Sequence, residues 1–179
     1  VDNIQFRFGQ ALKPRPEGLK KYKSNIEKFI VTKVKKFDSD KMCAVTIVME
    51  GTANEVNYQE KSIAKLAKKH RGLIGGSDNG KRGYMLTYAI AYVRDFVAKY
   101  QIMGETMETT VPWSKIQEVI DATTKKLEEL HNEYNFPGKP YISYRIPQIY
   151  HTGVCIYFML GISVKGVDNP DEKFSKIEH

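Results

Sequence analysis

Two apolar runs near the carboxyl-terminal end, YISYRIPQIY (141–150) and GVCIYFMLGISV (153–164), are separated only by His151 and Thr152. A connection that short joins antiparallel neighbours, because parallel strands need a crossover of a dozen residues or more. Successive side chains alternate along the second run, so Cys155, Tyr157 and Met159 share one face while Ile156, Phe158 and Leu160 share the other. Tyr157 thus stands among apolar neighbours with a hydroxyl that needs a partner. Most tyrosines so placed are structural. A minority serve as acids or bases, and a nearby arginine assists these by stabilising the phenolate.

The rest of the chain supplies helices to cover such a sheet. Leu19, Tyr22, Ile26 and Phe29 or Ile30 recur at helical intervals over 17–31, after the Pro-rich entry KPRP. KMCAVTIVMEG (41–51), rich in β-branched residues and stopped by a glycine, reads as a buried strand. A second helix follows from Thr52, which with Glu55 three residues on forms a capping-box signature, and Val56, Ile63, Leu66 and Ala67 line one of its faces. GYMLTYAIAYVRDFVAKY (83–100) is an apolar and aromatic helix, and YQIMGETMETTV (100–111) alternates as a strand. Pro112 opens a further helix with the stripe Ile116, Val119, Ile120, Thr123, Leu127 and Leu130, which NFPGKP (135–140) breaks. Strands and helices are mixed without regular βαβ spacing. The expectation is an α+β fold, an antiparallel sheet flanked by helices.

The chain has 179 residues, enough for one domain that buries roughly two-thirds of its unfolded surface. Its composition, 41% hydrophobic and 27% charged, is that of a globular protein, with no apolar run near the ~18 to 20 residues of a membrane helix. Cys43 and Cys155 are too few and too far apart for a disulfide framework, and the simplest expectation is a reducing compartment. A net charge of +7 would suit a nucleic acid, an anionic membrane or a phosphorylated substrate. The lysines, however, fall mainly on polar sides of expected helices and beside strands, so no nucleic-acid partner is expected.

GGSDNGKR (75–82) imitates part of a phosphate-binding loop. Arg82 stands where the motif needs a Ser or Thr to hold magnesium, so the glycines are read as turn formers with positive φ. The four histidines never recur at metal-binding intervals, and no metal site is expected. Arg94, set into the aromatic helix, has two explanations: its stem packs while its head reaches water, or its guanidinium faces an enclosed anion. Asp95 does not decide between them, because adjacent helical residues point in different directions.

FGQALKP near the start, DNGKRGYMLTYAIAYVRDF, GETMETTVPW and GVCIYF together resemble the alkylglycerone-phosphate synthases, through nearly all of the chain and in the same order. Lys81 departs from the neutral residue usual in that family. These are flavoenzymes of the vanillyl-alcohol-oxidase type, with an FAD-binding domain and a cap domain whose antiparallel sheet roofs the active site. The resemblance implies that residues 1–179 are a single cap, or substrate, domain. It places the FAD-binding domain upstream and an active-site histidine segment downstream, so the chain alone would be inactive. The implied reaction replaces the acyl chain of acyl-dihydroxyacetone phosphate by a long-chain fatty alcohol, releasing a fatty acid, with FAD acting without net redox. By the same resemblance Tyr157 is the catalytic acid/base and Arg94 binds substrate. The implied location is the peroxisome or glycosome, with its membrane surface as a partner, and an exposed face turned toward the missing domain would favour homo-oligomers. The rival readings are the cap of a related FAD-dependent 2-hydroxy-acid dehydrogenase and a basic anion-binding module.

Overall fold

The computed structural model describes residues 1–11, 37–38 and 40–178. It divides into two compact units, Val1–Ala44 with Tyr92–His179, and Val45–Ala91. The helix expected over 17–31 lies outside the described residues.

The first unit is built on three antiparallel strands, β1 (Ile102–Pro112), β2 (Tyr141–Ile149) and β3 (Gly153–Ser163), in the order β1-β3-β2. The hairpin through His151 and Thr152 forms as its length requires, and β3, with its apolar residues on both faces, takes the centre. One face of β3 presents Val154, Ile156, Phe158, Leu160 and Ile162, all buried. Helices α4 (Ile116–Glu133) and α5 (Pro170–Glu178) close over it with Ile120, Leu127, Phe174 and Ile177. The 3.6-residue stripe read from 116–130 is therefore the core face of α4, entered through a short 3-10 turn at Trp113–Lys115. Pro147 falls where the β2 register shifts between Arg145 and Gln148, a place an edge strand tolerates because its outer N–H groups need no ladder partner.

Helix α1 (Asn3–Ala11) packs against β2. Asp2 secures it in two ways. One carboxylate oxygen caps the helix by accepting from the Gln5 N–H at 2.7 Å. The other accepts from the Tyr144 N–H at 3.1 Å, while the Asp2 N–H donates to the Tyr144 carbonyl. The buried carboxylate thus satisfies donors on two elements, as a buried charge must.

In the second unit, α2 (Ala53–Lys69) starts at the expected capping box. Glu55 N–H donates to the Thr52 hydroxyl, and the Glu55 carboxylate accepts from the Thr52 N–H at 2.7 Å. None of its residues is fully buried. Helix α3 (Ser77–Ala98) begins in this unit and ends in the first. It starts earlier than GGSDNGKRG suggested: Gly80 is helical, and only Gly76 of this stretch has positive φ, at 78°.

The strand expected over 41–51 does not form. Residues 42–50 carry no regular structure, and Val45, Ile47 and Val48 are 76%, 48% and 62% exposed. β-Branched residues fit a pleated, half-buried surface but do not create one. Among the described residues the outer strands pair only with β3, and this segment joins neither open edge. Among the described residues no helix is long and apolar enough to cross a membrane.

Candidate active site on the polar face of the sheet

Opposite the core face, the sheet carries a different set of side chains. Residues directly across an antiparallel pair project to the same side. The register therefore places Glu108 of β1, Tyr157 of β3 and Arg145 of β2 in one row. Next to it runs the row Thr106, Met159 and Ser143, and on the other side Thr110 and Gln148 flank Cys155. A strand apolar enough to be central thus holds Tyr157 within a polar surface contributed by its neighbours. Helix α1 covers the Met159 row, with the Gln5 side-chain amide against the Met159 sulfur. Gln5 and Ser143 are buried there, and Tyr157 and Arg145 are half-buried.

The guanidinium of Arg145 lies over the Tyr157 ring, 4.2 Å from its centroid. Its Nε is buried without a hydrogen-bond partner, and no ion pair among the described residues includes it. Arg145 is therefore a partly desolvated cation whose counterpart is an aromatic face rather than a carboxylate. Burial, and after it the neighbouring Glu108, pushes the Cys155 thiol up from its ordinary range, while Thr110 acts the other way. Cys155 is thus a thiol held in its neutral form. Burial likewise raises Tyr141, against a lowering contribution from Ser143.

Arg94 stands apart from this row in its contacts. It is exposed near the end of α3 and makes no hydrogen bond, ion pair or ring contact with a described residue. On the same helix Tyr84, Tyr88, Tyr92 and Phe96 are exposed. Tyr84 and Tyr88 meet edge to face at 5.5 Å and share a hydroxyl hydrogen bond of 3.0 Å. The arginine that touches Tyr157 is Arg145, which the residue pattern alone did not single out. Shallow hollows occur over Ile149–Thr152 and beside Tyr134, Glu172, Ser175 and Lys176, and neither contains Tyr157 or Arg94.

The family model described as "FAD linked oxidases, C-terminal domain" matches residues 1–177. The chain belongs to that family. It is 36% identical over 179 residues to an alkyldihydroxyacetonephosphate synthase of Caenorhabditis elegans, covering 99% of this chain and 30% of that protein. A protein of the same name from Dictyostelium discoideum is 25% identical over 158 residues, or 88% of this chain and 26% of that protein. The chain thus spans under a third of the length of these relatives. Two solved structures of an alkyldihydroxyacetonephosphate synthase share the fold, with TM-scores of 0.67 and 0.65 over 98% of this chain, at 20% and 19% identity. They cover 33% and 32% of those chains.

The family's cofactor is FAD, and the described residues fit one part of it. A half-buried guanidinium beside a half-buried phenol suits the border of a ring system on which negative charge develops. For a pyrophosphate, the glycine-bearing start of α3 lacks the strand–loop–helix setting of a phosphate cradle, because the residues before it form no strand.

Proposed function

We propose that this chain is the cap, or substrate, domain of an alkylglycerone-phosphate synthase. The complete enzyme would exchange the acyl chain of acyl-dihydroxyacetone phosphate for a long-chain fatty alcohol, giving alkyl-dihydroxyacetone phosphate and a fatty acid. The observation that carries this reading is the 36% identity, maintained over all 179 residues, with the nematode protein of that name.

In this reading Tyr157 moves the proton. Its hydroxyl stands on the polar face of a rigid central strand, so it accepts or donates at a fixed position as the carboxylate leaves and the alcohol enters. Arg94, exposed and without a protein partner among the described residues, binds the phosphate through its planar fork of donors. Tyr157 and Arg145 would border the flavin, and α1 over the Met159 row keeps water from one side of the phenol. FAD, when bound, supplies a nucleophilic centre with no net redox change. Both substrates carry long alkyl chains, which is consistent with work at a peroxisomal or glycosomal membrane surface. The exposed apolar residues Val45, Ile47 and Val48 favour a homo-oligomer or cover by a further domain.

The test is an exchange assay on a full-length polypeptide carrying this chain, supplied with acyl-dihydroxyacetone phosphate and labelled fatty alcohol. Label in an ether-linked product with stoichiometric fatty-acid release is expected. Failure to incorporate alcohol, together with oxidation of a 2-hydroxy acid, would replace this reading with that of a dehydrogenase cap.

A further inference from the structure

Arg145 presents an unusual energetic position. A guanidinium taken partly out of water is ordinarily compensated by a carboxylate or by a full set of acceptors. Here the Nε is buried and unpartnered, and no described acid forms an ion pair with the side chain. What it does meet is the face of Tyr157, its direct cross-strand partner, at 4.2 Å. The opposite cross-strand partner, Glu108, is exposed. Of the other ionisable groups near this row, Asp2 is bonded to Gln5 and Tyr144, Cys155 is held neutral by burial, and burial likewise raises the half-buried Tyr141. Arg145 is therefore the cation that the phenol directly faces among the described residues.

We propose that Arg145 is a positioning residue for Tyr157, and that the two act as one unit. The stacked guanidinium fixes the ring between β1 and β2 and keeps a positive charge beside it. When the phenol oxygen gives up its proton to the substrate, the negative charge left on it is stabilised by that cation; when it takes the proton back, the charge disappears. The inference rests on the proton-transfer reading of Tyr157 and extends it. In that reading Arg94 holds substrate, whereas the contact Arg145 makes among the described residues is with the tyrosine.

The experiment is a double-mutant cycle in the complete enzyme, using Arg145→Gln, Arg145→Lys, Tyr157→Phe and the Arg145→Gln/Tyr157→Phe pair. Flavin content and melting temperature are checked for each. Arg145→Gln should lower activity by about 10- to 100-fold, by analogy with partners that orient ligands at metal sites, and the loss should appear in kcat with KM little changed. Arg145→Lys should recover only part of it, because the charge is restored but the planar stacking surface is not. In the Tyr157→Phe background Arg145→Gln should cost almost nothing more, as expected for residues that act together. A normal kcat in Arg145→Gln beside an inactive Tyr157→Phe overturns this inference alone. So does a defect confined to KM, which would make Arg145 a substrate-binding group, or an unchanged penalty in the Tyr157→Phe background. Full activity of Tyr157→Phe overturns the proton-transfer reading, and this inference with it.

Discussion

Arg145 and Tyr157 face each other across the β2–β3 pair, with the guanidinium 4.2 Å from the centre of the ring. The contact sets a cation against the ring of the tyrosine proposed as the acid/base. Tyr157→Phe removes only the hydroxyl and leaves the ring in place for Arg145, so folding and flavin content of the complete enzyme should be preserved. Turnover should fall by about 10²- to 10⁴-fold, the usual share of a general acid–base group. Steady-state kinetics on enzyme of matched flavin content decide the point, and near-normal turnover would return Tyr157 to a structural role.

Arg94→Lys tests the phosphate-binding role proposed for Arg94. Lysine keeps the charge but loses the planar fork, so substrate affinity should weaken by about 1.5–3 kcal/mol, the range for hydrogen bonds to charged groups. The melting temperature should not move, because Arg94 is exposed and bonded to no described residue. Substrate titration beside a thermal melt separates the two effects. Unchanged affinity would leave only a solvated arginine.

The thiols should differ sharply in reactivity. Cys43 is exposed and Cys155 is buried with its thiol held neutral. A chromogenic disulfide at neutral pH should therefore label one thiol quickly and the other only on unfolding, and Cys43→Ser should remove the fast phase. Two fast phases would contradict the burial of Cys155.

The capping box of α2 gives a pH signature. Hydrogen bonds from Thr52, its backbone N–H first and then its hydroxyl, hold Glu55 below the ordinary 4.5 of a glutamate. A folded value below the unfolded one means that the contribution is complete above the unfolded value and fades as pH falls through the folded one. The stability difference between the wild type and Glu55→Ala should therefore be constant above pH 4.5 and shrink below it, as followed by helical circular dichroism.

Gly153 opens β3 where no larger residue fits. A Cβ there would come 2.1 Å from the Val111 carbonyl oxygen and 3.1 Å from the Pro112 Cα, both backbone atoms of β1. Gly153→Ala should cost about 1–3 kcal/mol, as overpacking commonly does, measured by urea denaturation. A neutral result would mean that β1 moves aside at its end.

Legibility in the sequence followed the type of signal. The hairpin at 151–152, the stripe of α4 and the capping box of α2 were readable because each depends on spacing within one segment. Helix α5 escaped notice although Pro170, Asp171 and Glu172 mark a helix start and Phe174 and Ile177 its buried side. Helix α1 alternates Ile4, Phe6 and Phe8 as a strand would, and only Asp2 as its cap signals otherwise. The expected strand over 41–51 failed because propensity cannot supply a ladder partner. Arg145 was hidden for the corresponding reason: its neighbour is set by register across two strands, and the irregularity between Arg145 and Gln148 makes that register unreadable by counting back from the turn.

The bond between Asp2 and Tyr144 joins positions 142 residues apart. Loop-closure entropy must be met before such a contact gives any return, whereas the β2–β3 hairpin closes over two residues. The hairpin and its α4 cover can therefore form early, with α1 docking afterwards onto a sheet already in place. Unfolding would take the reverse course: the amide protons of α1 should exchange sooner than those of β3, and the side of Tyr157 next to Met159 would meet solvent while the sheet itself stays intact.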